Sequence, residues 1–302
     1  MSPAVLRTPE SRFDNLPDYP FESHYVELPD PVFGKLRMHY LDEGPRAGHA
    51  VLLLATQGCW SYIYRHMIPP LAAAGYRVIA PDYIGFGKSD KLPHTDDYTF
   101  QRHIDWNVAF LDRLELRNVN GYLLDWGGFF GLRIAAERPD IFARLALSNT
   151  SLPHGDSPGK QWFLQWRAEQ FAKPQFPQGE MVNEGTHHEL TPETVAAFDA
   201  PYPDESYKTG PRRFPMILPI SADDPASPAN TAAWERLGQW TRPVLTLYSK
   251  TFEGSAMGPQ RILAHIPGCA GQPHALLENA NFYIVEDQPE ELARRLIEFA
   301  AD

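Results

Sequence analysis

The chain has 302 residues and a formal net charge of −11, with 43% hydrophobic and 22% charged residues. This composition is typical of a globular protein, and the negative charge disfavours nucleic acid or an anionic membrane as a partner. No uncharged apolar run is long enough to cross a bilayer, and the first residues lack an apolar leader core, so we expect a cytoplasmic protein. Two cysteines, Cys59 and Cys269, cannot build a disulfide framework or a four-cysteine metal site.

Strand and helix patterns alternate through the first half of the chain. Short apolar runs that end in small residues indicate buried strands, and apolar residues at helical spacing indicate amphipathic helices. Such alternation implies a parallel sheet with helices on both faces. In chain order, strands are predicted at 34–44, 49–56, 76–82, 120–126 and 142–150, and helices at 64–75, 99–116 and 127–140.

This alternation breaks near residue 152, where the chain becomes rich in proline, aromatic and polar residues. Helical patterns occur there at 160–172 and 191–199. Strand patterns resume at 242–250 and 273–282, and an amphipathic helix is predicted at 289–301. We therefore expect one α/β core, formed by residues 1–151 and 226–302, with a helical lid at 152–225.

A polar residue, Asp125, lies at the tight turn between a predicted strand and the next helix. Glycines at 127 and 128 allow the helix and the strand to approach closely, as in a nucleophile elbow. A carboxylate in that position can displace a leaving group and form an ester intermediate. The alternative interpretation is an aspartate that only caps the helix.

The run DWGGFFGL around Asp125 resembles the nucleophile motif of the haloalkane dehalogenases, a family with the α/β-hydrolase fold. The resemblance covers most of the chain from about residue 34. It implies a mostly parallel central sheet with helices on both faces and an inserted helical cap. Three other stretches are similar to segments of that family, namely CWSYIYRHMIPPLAAAGYRVIAPDYIGFGKSDKL after the oxyanion loop, APYPDESYKTGPRRFP at the end of the lid, and GQPHALLENANFYIVEDQPEELARRLIEF at the last strand and helix.

The resemblance implies a role for four residues. Asp125 falls at the position of the nucleophile, and Trp126 at that of the indole that hydrogen-bonds the departing halide. Trp166 falls at the second halide-binding indole, from the lid, with Trp162 as the alternative. The backbone N–H groups of Gln57 and Trp126 are expected to face the carboxylate oxygen that does not attack.

The chain departs from the family pattern where the base and the acid should lie. Phe282 stands at the position of the histidine that activates water, and Phe252 at that of the catalytic acid. Asn149 stands at the acid position of other branches, and the oxyanion loop reads ATQG at 55–58. Because joint loss of base and acid avoids an orphaned buried charge, we expect a repurposed pocket with Phe252 and Phe282 as an apolar wall.

Three hypotheses follow for the function. In the first, Asp125 is alkylated by a small apolar or halogenated substrate, with little or no hydrolytic turnover. In the second, the apolar wall raises the pKa of Asp125, which then acts as the lone general acid–base group of a lyase, cyclase or isomerase. In the third, the pocket belongs to a non-catalytic receptor for a small ligand.

No metal or organic cofactor is expected, because no histidine–carboxylate spacing suits a metal and no phosphate-loop or dinucleotide fingerprint occurs. The expected partner is a small apolar or halogenated molecule, and we expect a monomer. Tyr283 and Glu278 flank the lost histidine, and either could supply a proton. Other histidines that could act as a base are His274, placed at the far end of the last strand, and His154, His187 and His188, placed in the lid.

Overall fold

One mixed β-sheet forms the centre of the protein. The computed structural model describes residues 5–156, 161–253 and 258–301, except for the side chain of Trp162. Within these residues the strands of the sheet are β1 (His24–Asp30), β2 (Gly34–Glu43), β3 (Ala50–Leu54), β4 (Arg77–Pro81), β5 (Val119–Leu124), β6 (Phe142–Ser148), β7 (Val244–Ser249) and β8 (Ala275–Leu277).

The pairing directions place the carboxyl ends of six parallel strands, β3 to β8, along one edge of the sheet. The order is β1-β2-β4-β3-β5-β6-β7-β8. β2 pairs antiparallel with β1 and β4, whereas every other neighbouring pair is parallel. The segments that follow β3, β4, β5, β6, β7 and β8 therefore lie along one edge, where open α/β sheets bind their ligands. The sequence analysis did not predict β1, a half-exposed edge strand, and it made the last strand too long, since β8 has three residues.

Helices cover the sheet on both faces, as the alternation of the patterns predicted. No helix of the described ranges is long and apolar enough to cross a membrane. In chain order the helices are α1 (Ile68–Ala73), α2 (Phe100–Arg113), α3 (Trp126–Glu137), α4 (Gln161–Ala172), α5 (Gln178–Glu184), α6 (Pro192–Asp199), α7 (Thr209–Arg213), α8 (Ser227–Leu237), α9 (Gln260–His265), α10 (Ile284–Asp287) and α11 (Pro289–Ala301).

Strand β5 explains why both faces of the sheet are apolar. Each of its residues is buried, and successive side chains point to opposite faces. Leu123 belongs to the core cluster shared with α2, α3 and α8, whereas Tyr122 and Leu124 belong to the cluster shared with α1 and α11. This strand is consequently held from both sides, and it presents Asp125 at the ligand-binding edge.

The segment between β6 and α8 lies over that edge. The Gln57 amide Nε2 donates to the carbonyl of Pro211 at 3.1 Å, and the Trp60 indole donates to that of Ala197 at 3.3 Å. Helix α8 instead packs on the core, where Asn230 accepts a 2.9 Å bond from Arg133 of α3. These contacts agree with our interpretation of a lid at 152–225, which stays a prediction.

A buried ion pair ties the segment after β3 to the segment after β8. Arg65 donates to both carboxylate oxygens of Glu286, at 2.6 and 2.8 Å. The two side chains are only 4% and 3% exposed. Removing one partner of such a pair leaves an uncompensated buried charge.

We predict that Glu286→Gln lowers the free energy of unfolding by about 3 kcal/mol, because Arg65 keeps its charge without a counter-ion. Urea denaturation measures this difference. Glu298→Gln is the matched control, since Glu298 pairs with Arg294 in solvent, and it should change the midpoint little. Equal losses in the two variants would contradict the assignment.

Candidate active site

The turn between β5 and α3 holds Asp125 in a strained backbone conformation. Asp125 has φ +47° and ψ −108°, a region that residues other than glycine rarely adopt. Its carbonyl accepts bonds from the Gly128 amide at 2.8 Å and from the Thr150 hydroxyl at 2.7 Å. A Cβ on Gly127 would overlap the Leu54 carbonyl, so only glycine allows α3 to approach β3 this closely.

The carboxylate of Asp125 bonds to the loop after β3. Its Oδ2 accepts a 2.6 Å bond from the Thr56 hydroxyl and a 3.3 Å bond from the Gln57 backbone amide. Its Oδ1 accepts no side-chain hydrogen bond from any residue that the structure describes. The side chain accepts no bond from the amides of the second and third residues of α3, which a capping side chain would bond, so the capping interpretation does not hold. Hydrogen bonds therefore fix the position of Oδ2, whereas Oδ1 is available to react with a bound molecule.

Burial raises the pKa of the Asp125 carboxyl to about 6, and it outweighs three opposing hydrogen bonds. Those bonds, which lower the pKa, come from the Thr56 hydroxyl and from the backbone amides of Gln57 and Trp126. Asp125 is 3% exposed, so the loss of hydration is nearly complete. A pKa of about 6 still leaves roughly ten carboxylates for each neutral acid at pH 7.

The two phenylalanines at the expected base and acid positions lie together. The ring centroids of Phe252 and Phe282 are 5.9 Å apart, and both side chains are half-buried. The next residue, Tyr283, donates from its hydroxyl to the Gln57 carbonyl at 3.3 Å. Since the Gln57 amide bonds Asp125, this contact brings the loop after β8 close to the carboxylate.

Histidine ring nitrogens are absent from the hydrogen bonds of the Asp125 carboxylate in the described residues. His274 bonds Thr246, in the middle of β7, and the Cys269 carbonyl. His154 binds the Leu152 carbonyl and Arg261. The side chains of His187 and His188 are exposed. None of these four histidines is placed to prime a water molecule against an Asp125 ester.

A fifth histidine, His103, lies in the aromatic packing around Trp126, and the sequence analysis did not single it out. Its ring stacks on Phe130 at 5.3 Å and meets Phe214 edge-on at 4.8 Å. Burial lowers the pKa of His103 to about 3. Neither ring nitrogen has a hydrogen-bond partner among the described residues. A group this weakly basic is a packing residue rather than a general base.

Asn149, at the position expected for the acid of other branches, forms hydrogen bonds to two neighbouring loops. Its amide nitrogen donates to the carbonyls of Asn281 and Phe282, both at 3.1 Å. Its amide oxygen accepts a 2.9 Å bond from the backbone of Ser249, at the end of β7. Asn149 therefore holds the loop that carries Phe282 against the ends of β6 and β7.

The two expected indoles differ in how well the structure places them. Trp126 is 4% exposed, and the centroid of its ring lies 4.4 Å from that of Phe214. Its indole N–H donates to no described residue. Trp166, in α4, is half-buried and stacks on Phe163 at 6.0 Å. No hydrogen bond or ring contact in the described ranges joins Trp166 to Asp125, so its halide-binding role stays a prediction. The side chain of Trp162 lies outside the described residues.

Thr56 is the residue that the sequence analysis missed. It was noted only as part of an altered loop, yet its hydroxyl makes the shortest bond to the carboxylate and is fully buried. The sequence signal for Thr56 was its position next to Gln57, because the loop that carries both follows β3, which pairs with β5.

Within the described residues no group of three histidine, cysteine or acidic side chains could hold a metal ion.

We predict that Thr56→Val raises the pKa of Asp125 above about 6 by roughly 1–2 units, since it removes a donor to the charged form at constant volume. Carbon NMR titration of labelled aspartate, assigned with Asp125→Asn, measures this shift. Thr56→Ser keeps the hydroxyl and should titrate like the wild type. A Thr56→Val protein with unchanged titration would refute the role of this bond.

Comparison with known proteins agrees with this architecture. A family model described as alpha/beta hydrolase fold matches residues 50–248. A haloalkane dehalogenase of Psychrobacter cryohalolentis is 48% identical over 298 residues, which cover 99% of this chain and 98% of that protein. One from Mycobacterium marinum is 47% identical over 293 residues, which cover 97% and 98%.

A solved structure gives the same result. The tetrameric haloalkane dehalogenase DpaA from Paraglaciecola agarilytica superposes with a TM-score of 0.89 at 32% identity, over 97% of each chain. This similarity extends over the sheet, the Asp125 turn and the segment above it. The chain has the α/β-hydrolase fold and belongs to the haloalkane dehalogenase family.

Proposed function

We propose that Asp125 attacks the halogen-bearing carbon of a small apolar or halogenated substrate and is converted to an alkyl ester. Oδ1 forms the new bond to carbon while the carbon–halogen bond breaks and the halide departs. The observation that carries the proposal is the buried carboxylate of Asp125, whose Oδ2 accepts bonds from the Thr56 hydroxyl and the Gln57 amide. The close relatives named haloalkane dehalogenases support it.

The indole N–H of Trp126 would receive the departing halide. It follows the nucleophile directly, is nearly buried, and donates to no described residue. A directed donor inside an apolar wall is well suited to a weakly hydrated anion. Trp166 would supply a second donor from the lid. Both roles are proposals that rest on the free Trp126 donor and on the family resemblance.

Hydrolysis of the ester is the step that this chain would perform poorly. Water must add to the ester carbonyl and give up a proton, and the side chain of Phe282 cannot accept it. The donors Thr56, Gln57 and Trp126 would still stabilise the oxyanion that forms. Loss of general base catalysis alone slows such a step by about 10²–10⁴-fold. We therefore propose an enzyme whose Asp125 is alkylated quickly by the substrate and whose ester is hydrolysed slowly.

The lyase, cyclase or isomerase alternative needs a neutral Asp125. A pKa of about 6 supplies that form only in mildly acidic solution. At neutral pH the carboxylate dominates, which favours the nucleophile.

Incubation with 1-bromohexane should add one hexyl group to the chain and release about one bromide per molecule, as expected for a stalled ester. Intact-mass spectrometry and halide release measure the two quantities. Asp125→Asn should show neither. The absence of an adduct would refute the nucleophile, and continued bromide release at many equivalents would refute the slow hydrolytic step.

The double variant Phe282→His with Phe252→Asp tests in the same 1-bromohexane incubation whether hydrolysis of the ester can be gained. It supplies a base and an orienting acid at the two expected positions. The hexyl adduct should then decay, whereas Phe252→Leu should leave it in place.

The rate of the bromide burst should rise with pH, with a midpoint near 6, and level off above pH 7, because only the carboxylate attacks. Rapid-quench measurement between pH 5 and 8 gives this profile. A rate that instead falls as the pH rises through 6 would indicate a reactive neutral acid and would support the lyase or isomerase alternative.

A further inference from the structure

The loop after β3 carries two of the groups that donate to Asp125. We call this segment, ATQGC, the donor loop, because the Thr56 hydroxyl and the Gln57 amide both bond Oδ2 of Asp125. The donor loop contains a turn, in which the Thr56 carbonyl accepts a 3.3 Å bond from the Cys59 amide. Gly58 has φ +73°, the left-handed conformation that the third residue of a type II turn requires. The turn itself satisfies one carbonyl, so the other carbonyls of the donor loop need partners elsewhere.

Two tyrosines supply such partners from other parts of the chain. The Tyr83 hydroxyl, in the segment after β4, donates to the Ala55 carbonyl at 3.1 Å. The Tyr283 hydroxyl, in the loop after β8, donates to the Gln57 carbonyl at 3.3 Å. These two carbonyls flank Thr56 in the sequence. The donor loop is therefore held on both sides of the residue whose hydroxyl makes the shortest bond to the Asp125 carboxylate.

Both tyrosines are fixed donors within the core. Tyr83 and Tyr283 are 1% and 2% exposed. The Tyr83 ring packs edge-on against Phe130 at 5.4 Å, and the Tyr283 ring packs edge-on against Phe282 at 4.9 Å. Burial raises the pKa of each phenol well above its usual value, so both hydroxyls keep their protons near neutral pH. Each hydroxyl can consequently donate throughout the pH range in which Asp125 titrates.

The two bonds fix the orientation of two peptide planes, because a peptide bond is planar. The plane that contains the Ala55 carbonyl also contains the Thr56 amide nitrogen, and it therefore influences where the Thr56 side chain points. The Gln57 carbonyl belongs to the central plane of the turn, whose reversal would convert type II into type I geometry. Removing either tyrosine hydroxyl frees one of these planes and weakens the alignment of a donor with Oδ2.

We propose that Tyr83 and Tyr283 are positioning residues, which hold the donor loop so that the Thr56 hydroxyl and the Gln57 amide face Oδ2 of Asp125. The two tyrosine hydroxyls bond the backbone of the donor loop and act through it on the carboxylate. This role rests on the proposed function, in which Asp125 is the nucleophile, but its effect on the charge of Asp125 is measurable without a substrate.

Tyr83→Phe and Tyr283→Phe should each raise the pKa of Asp125 above about 6 by roughly 0.5–1 unit, because a donor to the charged form becomes less well aligned. Carbon NMR titration of labelled aspartate, assigned with Asp125→Asn, measures the shift. The bromide burst at pH 6 should fall about two- to fivefold and should recover at pH 8, where the carboxylate again dominates. A merely structural defect would lower the burst at both pH values.

A double-mutant cycle identifies the donor that Tyr83 positions. In the Thr56→Val background, Tyr83→Phe should add less than half of the shift that it causes in the wild type, because the hydroxyl that it orients is gone. Tyr283→Phe should keep most of its shift in that background, since the Gln57 amide remains. A full additional shift from Tyr83→Phe would contradict its action through Thr56.

Tyr98→Phe is the matched control. The hydroxyl of Tyr98 is fully buried and accepts a 2.6 Å bond from the Leu92 amide, outside the donor loop. This variant should titrate like the wild type, and thermal unfolding confirms that each variant is folded. An unchanged Asp125 titration in both Tyr83→Phe and Tyr283→Phe, or an equal shift in Tyr98→Phe, would overturn the positioning role. Shifted titrations together with no hexyl adduct on the wild type would refute the proposed function and support the positioning role alone.

Discussion

The buried charge of Asp125 is the constraint on which the rest of the site depends. A carboxylate that is almost fully removed from water loses its hydration, and its pKa rises to about 6. It stays mainly ionised at neutral pH because the Thr56 hydroxyl and two backbone amides donate to it. The strained turn at Asp125 and the close approach of α3 to β3 at Gly127 keep the carboxylate within hydrogen-bond distance of those donors. Burial of this side chain therefore costs folding free energy, because the charged form of the carboxyl loses its hydration.

Gln57 connects that carboxylate to the other parts of the pocket. Its backbone amide donates to Asp125, its carbonyl accepts from Tyr283, and its side chain reaches Pro211 at the end of the lid. The loop after β3, the loop after β8 and the segment that contains Pro211 thus meet at Gln57.

The rings of Phe252, after β7, and Phe282, after β8, pack against each other. Two aromatic rings in contact need no proton partner, so the loops after β7 and β8 stay packed where a charged pair would have needed mutual compensation. Asn149 secures the same loops with neutral hydrogen bonds. Under the proposed function, the site keeps its nucleophile and lacks the base that would hydrolyse the ester.

The sequence by itself determined the alternation of strands and helices from β2 to β6 and the turn at Asp125, because hydrophobic period and turn chemistry are local properties. Only the tertiary structure decided that Thr56 bonds Asp125 across 69 positions, that β1 extends the sheet edge, and that Tyr83 and Tyr283 bond the loop that carries Thr56. These contacts depend on strand order and register, and no local pattern encodes them. The pKa of Asp125 belongs to the second group, since it is set by how many donors converge in a volume without water.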